Sequence, residues 1–431
     1  MNQKTLSNGV IYLVANVINA AVPFLLLPLL TRVLTPADYG LITMFTLTVT
    51  LLSALTGLSV HGAVSVRFFK VTKKELADYI GAALVVLLFS TLIILIIVSF
   101  DKVLLTFTLL SKEWLLLACF VAATQFITNI KLALWQVRKE ALKYGMLKIS
   151  LTTCNALLSL FFIFIIAASW EGRAMGIALA AFSFSVLSLL LLFKNNDLNL
   201  VAKRSDLIHS LKFGVPLIPH TLGAALISMI DRFLIGNLVG KDALGIYMVS
   251  LQMAMILAIF ADAFAKAYGP WLYELLSDNS KDNRLFAVGV TYVVFFSFLI
   301  IILPAYIFLK LIFSYFIGEN FLQSMDFVLW FLIGYGFVGM YYALAGFYFF
   351  KEKTGQLSII TFSSGVFSAI ITYFAVLKYG LLGGAASFAI TNVFMFIIAF
   401  VNMKNVIELP WKEFSNSLSV VYRKYNVKKI H

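Results

Sequence analysis

The chain has 431 residues, 61% of them apolar and 12% charged, with a formal net charge of +13. Soluble proteins carry about 25% charged residues, so the composition excludes a soluble enzyme, a nucleic-acid binder and a secreted disulfide scaffold. The positive charge sits in short connections between apolar runs, where it orients helices in a bilayer rather than meeting nucleic acid.

Twelve apolar stretches follow one another: Ser7–Leu30, Tyr39–His61, Tyr79–Ser99, Trp114–Leu134, Tyr144–Ser169, Ala174–Phe193, Leu211–Ile235, Ala243–Ala267, Leu285–Leu309, Phe327–Phe349, Gln356–Leu377 and Leu381–Met403. Each is close to the ~20 residues a helix needs to cross the hydrocarbon. Open strands leave backbone groups unsatisfied in lipid, and the runs lack the alternation of a barrel, so all twelve are expected to be helices. The first run is too long for the apolar part of a signal peptide and is expected to remain as a span. Cys119 and Cys154 fall inside apolar runs and are expected to be free thiols.

Twelve spans put both termini on one side. Of the 33 Lys and Arg residues, 25 fall in the connections on the side of the termini and 8 on the other. The positive-inside rule therefore predicts cytoplasmic termini. The residues after Met403 end in a basic stretch, Arg423 to Lys429, expected to be a solvated or headgroup-touching tail.

The two halves resemble one another. One offset lays Gly9-Val10 on Gly214-Val215 and Gly40-Leu41 on Gly245-Ile246; a slightly larger one lays Gly172 and Gly176 on Gly380 and Gly384. Duplication of a six-helix unit gives two copies of equal orientation, related by an axis along the membrane normal. The expected domains are an N-terminal lobe, residues 1–200, a C-terminal lobe, residues 201–404, and a basic tail, 405–431. The polar stretch from Lys194 to Lys212 is the expected hinge. Two similar bundles around a central cavity suit alternating access.

Ionisable groups and helix breakers inside spans are functional candidates, because both are costly in lipid. Asp231 and Arg232, adjacent near the outer end of span seven, point about 100° apart and read either as an interfacial ion pair closing a gate or as substrate contacts. Pro216 and Pro219 in that span, with Pro23 and Pro28 in span one, are candidate helix breaks in corresponding positions of the two halves. His220 reads as a titrating group or a packing histidine. Asp262 and Lys266, four apart, share a helix face and read as a local salt bridge near the cytoplasmic end, with Lys266 snorkelling, or as part of a cationic funnel. Arg67 and Lys70 follow span two; Lys131 and Arg138, seven apart, share a face of span four. These cations anchor helix ends or form a funnel for phosphate. Asn16, Asn19, Gln125 and Asn129 read as inter-helix hydrogen bonds. The sequence has no P-loop pattern, no metal-ligand spacing among His61, His209, His220 and His431, and only short outer connections in which to build a catalytic site.

The segment Pro28-Leu29-Leu30-Thr31-Arg32-Val33-Leu34-Thr35-Pro36-Ala37-Asp38-Tyr39-Gly40 resembles the first-hairpin signature of bacterial polysaccharide-biosynthesis flippases, the O-antigen (Wzx-type) and capsule translocases. So do Gly214-Val215-Pro216-Leu217-Ile218-Pro219, Asp231-Arg232-Phe233-Leu234-Ile235-Gly236 and Ala243-Leu244-Gly245-Ile246-Tyr247. With the twelve spans, the resemblance covers essentially the whole chain. It implies the multidrug/oligosaccharidyl-lipid/polysaccharide exporter superfamily: an all-α, MATE-like integral membrane fold of two six-helix lobes about a central cavity. The implied substrate is an oligosaccharide repeat unit linked by pyrophosphate to undecaprenol, moved from the inner to the outer leaflet of the plasma membrane.

The resemblance also implies membrane lipids and other glycan-assembly proteins as partners, no cofactor, and coupling to protons or sodium through Asp262, His220 or Asp231. Cavity candidates are Arg32, Arg67, Lys131, His220 and Lys266. Most cations lie near span ends, so the pyrophosphate is held close to an interface or the span ends bend inward. The competing readings are a drug or metabolite exporter of the same fold and a membrane-embedded glycan polymerase or ligase.

Overall fold

A computed structural model describes residues 3–100, 106–166, 168–278 and 280–427. Among them the chain is helical throughout: α1 (Gln3–Val33), α2 (Pro36–Leu55), α3 (His61–Arg67), α4 (Lys73–Phe100), α5 (Lys112–Val137), α6 (Ala141–Phe161), α7 (Trp170–Lys194), α8 (Arg204–Gly214), α9 (Ile218–Leu238), α10 (Lys241–Ser277), α11 (Lys281–Phe316), α12 (Met325–Phe350), α13 (Thr354–Asn402) and α14 (Phe414–Val427). Nine helices among the described residues are long and apolar enough to cross a membrane. Helix α13 changes direction at Gly380 (φ 56°, ψ −131°), so it carries both of the last two expected stretches. Helices α1 and α9 occupy the first and seventh.

Local chemistry starts these helices. At α2, Thr35 Oγ1 accepts from the Asp38 N–H at 3.2 Å and Asp38 Oδ2 accepts from the Thr35 N–H at 3.1 Å, with Pro36 leading the helix. This capping box satisfies two orphan amides. It also gives the Thr35–Asp38 part of the hairpin motif a physical purpose. The other Asp38 oxygen accepts from the Trp170 N–H at 3.2 Å, tying α2 to the start of α7. Thr72 and Glu75 repeat the device at α4.

Breaks fall in places that differ from the expected ones. Helix α1 runs through Pro23 and Pro28 as one helix, so these two are not interruptions. A short 3₁₀ turn, Val215–Leu217, does contain Pro216 and separates α8 from α9; Pro219 follows in the first turn of α9. The sharpest break has no proline. After α2, Gly57, Leu58 and Ser59 all take positive φ (68°, 51° and 55°), and the Gly57 N–H is donated to Ser90 Oγ at 2.9 Å. A left-handed conformation costs a non-glycine residue roughly 1–2 kcal/mol. A β-carbon on Gly57 would meet the Phe126 ring at 2.4 Å, so packing holds the turn in place.

The chain divides into two compact units, residues 1–248 with 318–320, and residues 249–317 with 321–431. The division falls at Met248, later than the boundary expected at 200/201, because α9 packs on α2 within the first unit. That unit holds two buried apolar clusters, one around Phe45, Cys119, Val121 and Trp170, the other around Tyr79, Phe126, Ile130 and Leu192. In the second unit α13 packs on α12, and α12 on α11.

Part of the tail belongs to this second unit. Ser417, Val420, Val421 and Lys424 form an i, i+3, i+4, i+7 face of α14 that lies along α11; Ser417 and Val420 are buried. Gly289 admits the Ser417 carbonyl where any β-carbon would stand 2.4 Å from its oxygen. Lys424 Nζ bonds Asn283 Oδ1 at 2.8 Å and sits over the Phe286 ring. Residues 414–427 are thus a docked helix rather than a solvated tail; Lys428 and Lys429 lie outside the described residues.

Candidate functional site

Of the cations expected to line a funnel, three lie in the first unit facing a carboxylate: Arg67, Lys131 and Arg138. Lys131 and Arg138 do share a face of α5. Lys131 Nζ lies 3.1 Å from Asp197 Oδ2, and Arg138 makes a fork of 2.9 and 2.6 Å with the two Asp197 oxygens. The Lys131 side chain is fully buried and Asp197 nearly so. Burial alone would push the Asp197 carboxyl up, but hydrogen bonds from Arg138 and Lys131 outweigh it and hold the group below the usual carboxylate range.

Asp197 belongs to the polar connection after α7, and two further carboxylates fasten that segment. Asp78 of α4, itself buried, accepts from Lys203 Nζ at 2.6 Å and Asn199 Nδ2 at 2.8 Å. Asp206 of α8 binds Arg67 at 3.0 Å, and Arg67 also lies over the Tyr79 ring, 4.9 Å from its centre. The stretch expected to be a hinge is therefore strapped to α3, α4 and α5. Arg67 and Lys131 are charge-compensated parts of that strap, not open phosphate ligands. The three acids carried no sequence signal: nothing in a polar connection marks which of its aspartates will be buried.

The remaining candidates are spread through the molecule. Arg32 is exposed in the last turn of α1, where a cation complements the helix dipole. Asp231 is 8% exposed and accepts from the Tyr247 hydroxyl at 2.6 Å. Its described partner is therefore on α10, in the same unit. Lys266 and Asp262 form the expected i, i+4 pair at 2.5 Å, with both groups substantially exposed. Helix α9 carries His220, whose side chain, like that of Pro219, lies outside the described residues. Cys119 and Cys154 are free, Cys119 buried and Cys154 half-buried.

A second polar group was not singled out by sequence. Arg173, in the first turn of α7, donates from Nη1 to Asn155 Oδ1 of α6 at 2.6 Å and to Ser159 Oγ one turn further along. One turn before Asn155, Thr152 Oγ1 donates to Asn19 Oδ1 of α1. Asn19 thus makes the inter-helix bond expected of it. Ser159 is fully buried, whereas Asn19, Thr152, Asn155 and Arg173 are half-buried and can present hydroxyl, amide and guanidinium atoms to a hydrophilic solute.

A family model described as polysaccharide biosynthesis protein matches residues 5–276. Similar in sequence is a protein of the Lsg locus of Haemophilus influenzae, 27% identical over 87% of this chain and 93% of its own. A Shigella flexneri protein named "Putative O-antigen transporter" is 29% identical over 37% of this chain and 38% of its own. Among solved structures, the lipid II flippase MurJ in an inward closed conformation is 15% identical, with a TM-score of 0.64 over 99% of this chain and 92% of that one. An inward-facing multidrug resistance MATE family transporter of the MOP superfamily is 16% identical, with a TM-score of 0.60 over 94% and 96%. These likenesses bear out the expected all-α, MATE-like transporter fold. The chain belongs to the polysaccharide biosynthesis protein family.

Proposed function

We propose that the protein is a flippase that carries undecaprenyl-pyrophosphate-linked oligosaccharide repeat units from the cytoplasmic to the periplasmic leaflet of the bacterial plasma membrane. The observation that carries this reading is the family match over residues 5–276, and the fold shared with a lipid II flippase supports it. The physical need is plain. Each sugar hydroxyl taken into hydrocarbon without a partner costs several kcal/mol (about 4–8 on a water-to-cyclohexane scale). A protein that offers polar groups at membrane depth removes that cost for the head while the prenyl chain stays in lipid.

In this reading the two six-helix halves alternate in exposing the head to each side, and both termini are cytoplasmic, as the distribution of Lys and Arg suggests. Coupling to protons or sodium through Asp262, Asp231 or His220 is part of the proposal, as is contact with other glycan-assembly proteins.

A strain lacking the gene tests it. The proposal expects lipid-linked repeat units to accumulate on the inner leaflet and surface glycan to be lost. Normal surface glycan with a new sensitivity to toxic compounds would instead favour the second reading, a drug or metabolite exporter. The MATE transporter neighbour motivates that alternative.

A further inference from the structure

We propose that one face of α6, formed by Lys148, Thr152 and Asn155, together with Asn19 of α1 and Arg173 of α7, which the buried Ser159 helps to hold, is the wall along which the hydrophilic head of the lipid-linked glycan travels. Arg173 receives its phosphate. This assignment rests on the flippase reading and supplies it with a site.

The spacing of 4 and 3 residues puts the three α6 side chains on one narrow stripe, and Ser159, four further on, continues its register as a buried anchor for Arg173. At 1.5 Å per residue the stripe is roughly 10 Å long, about a third of the thickness of the hydrocarbon. The apolar side chains most exposed on this helix, Leu142, Met146, Leu157 and Phe161, cluster about 180° away at 100° per residue. Helix α6 is therefore two-sided: one side suits lipid, and the other offers hydroxyl, amide and ammonium groups.

The stripe is continuous with its neighbours. Lys148 Nζ lies over the Tyr144 ring and within 3.5 Å of its hydroxyl. Thr152 binds Asn19, and Asn155 and Ser159 bind Arg173. Hydroxyls and amides in this register are the groups that recognise sugar hydroxyls.

Arg173 is the decisive member. Lys131, Arg138, Arg67, Lys203 and Lys266 each meet a carboxylate. Arg173 meets none among the described residues; its Nη1 hydrogen bonds go to neutral oxygens of Asn155 and Ser159, and the Tyr39 hydroxyl is also near. A guanidinium at a span end without a carboxylate partner keeps its charge for a ligand, and its planar fork suits a phosphate. A mere staple between α6 and α7 would serve either half of a duplicated fold. Yet the offset that sets Gly172 on Gly380 sets Thr152 on Ile360, Asn155 on Ser363, Ser159 on Phe367 and Arg173 on Leu381. Lys148 falls on Gln356, so some polarity persists in the second half, but the arginine and the Thr152 and Ser159 hydroxyls have no counterpart there.

Cysteine labelling of the full-length protein in membranes tests this without requiring transport. In a background with Cys119 and Cys154 replaced by Ser, Thr152→Cys and Asn155→Cys should react with a membrane-impermeant methanethiosulfonate reagent. Met146→Cys and Leu157→Cys, on the apolar face, should not. Farnesyl-pyrophosphoryl N-acetylglucosamine should slow labelling at position 152 or 155 about tenfold, a change worth about 1.4 kcal/mol of binding. Arg173→Gln should abolish that protection while Arg173→Lys retains part of it.

Unreactive cysteines at both 152 and 155, or reaction equal to that at Leu157→Cys, would overturn the wall. Labelling that the probe leaves unchanged, or protection unaltered by Arg173→Gln, would overturn the phosphate assignment. Either failure is distinguishable from failure of the flippase reading, which is read from where lipid-linked glycan accumulates.

Discussion

Gly40 and Gly245 are counterparts in a reciprocal contact. A β-carbon on Gly40 would lie 1.9 Å from the Lys241 carbonyl oxygen, and one on Gly245 would lie 1.9 Å from the Pro36 carbonyl oxygen. Pro36 begins α2 and Lys241 begins α10, and the offset that pairs the two glycines also pairs these two residues. The starts of the two helices therefore cross as near-equivalents, each glycine receiving the other helix's first carbonyl. No other residue leaves room for that approach.

Gly40→Ala and Gly245→Ala should each destabilise the first unit by about 1–3 kcal/mol, the usual cost of overpacking a close contact. Thermal unfolding of the purified protein in detergent checks this. Equal losses from the two variants fit the reciprocal geometry, and unchanged melting in both would contradict it.

The buried triad Lys131–Asp197–Arg138 predicts a different pattern. Asp197→Ala leaves the Lys131 ammonium buried without its carboxylate, a loss of about 3–5 kcal/mol. Replacing Lys131 by Met together with Asp197 by Leu removes the fully buried ammonium as well, leaving unpaired only Arg138, which reaches solvent, and should recover much of the melting temperature. A double variant as unstable as Asp197→Ala would show that shape, not charge, sets the cost.

The same carboxylate gives a pH dependence. Its pKa is depressed in the fold, so its stabilising contribution is complete above the ordinary carboxylate value of about 3.9. It is lost as pH falls through the lower folded value. Unfolding measured from pH 7 down to 3 should therefore show a decline in the wild-type protein that is shallower in Asp197→Asn. Parallel curves would remove Asp197 as the source.

At Asp231 the described partner is the Tyr247 hydroxyl. Asp231→Ala and Arg232→Ala should each impair complementation of a deletion strain while still inserting in the membrane, and Tyr247→Phe should reproduce part of the Asp231 effect. Full complementation by both Asp231→Ala and Arg232→Ala would end their assignment to a gate.

How far the sequence could be read depended on the length scale of each signal. Runs of about twenty apolar residues leave a helix as the only structure with a satisfied backbone in lipid, so the expected stretches fall on helices among the described residues, nine of them long and apolar enough to span, and Gly380 stands where two spans were separated. The Asp262–Lys266 pair was legible because it needs only one helix and a spacing of four. The Gly57–Ser59 break was not, because it depends on the Phe126 ring and Ser90 from other helices.

The destination of Asp197 and the docking of α14 also depend on partners remote in the chain. In the sequence Arg173 is one more charge at a span end. Its meaning appears only when Asn155 and Ser159 are seen beside it.

The most direct measurement is of sidedness: the purified protein reconstituted in vesicles with fluorescent undecaprenyl-pyrophosphoryl oligosaccharide in both leaflets, followed by an impermeant quencher or glycosidase. The flippase account expects protein-dependent access to the pool that began in the inner leaflet, reduced in Arg173→Gln. An inner pool that stays protected in the presence of wild-type protein, under an imposed proton or sodium gradient of either sign, would contradict it.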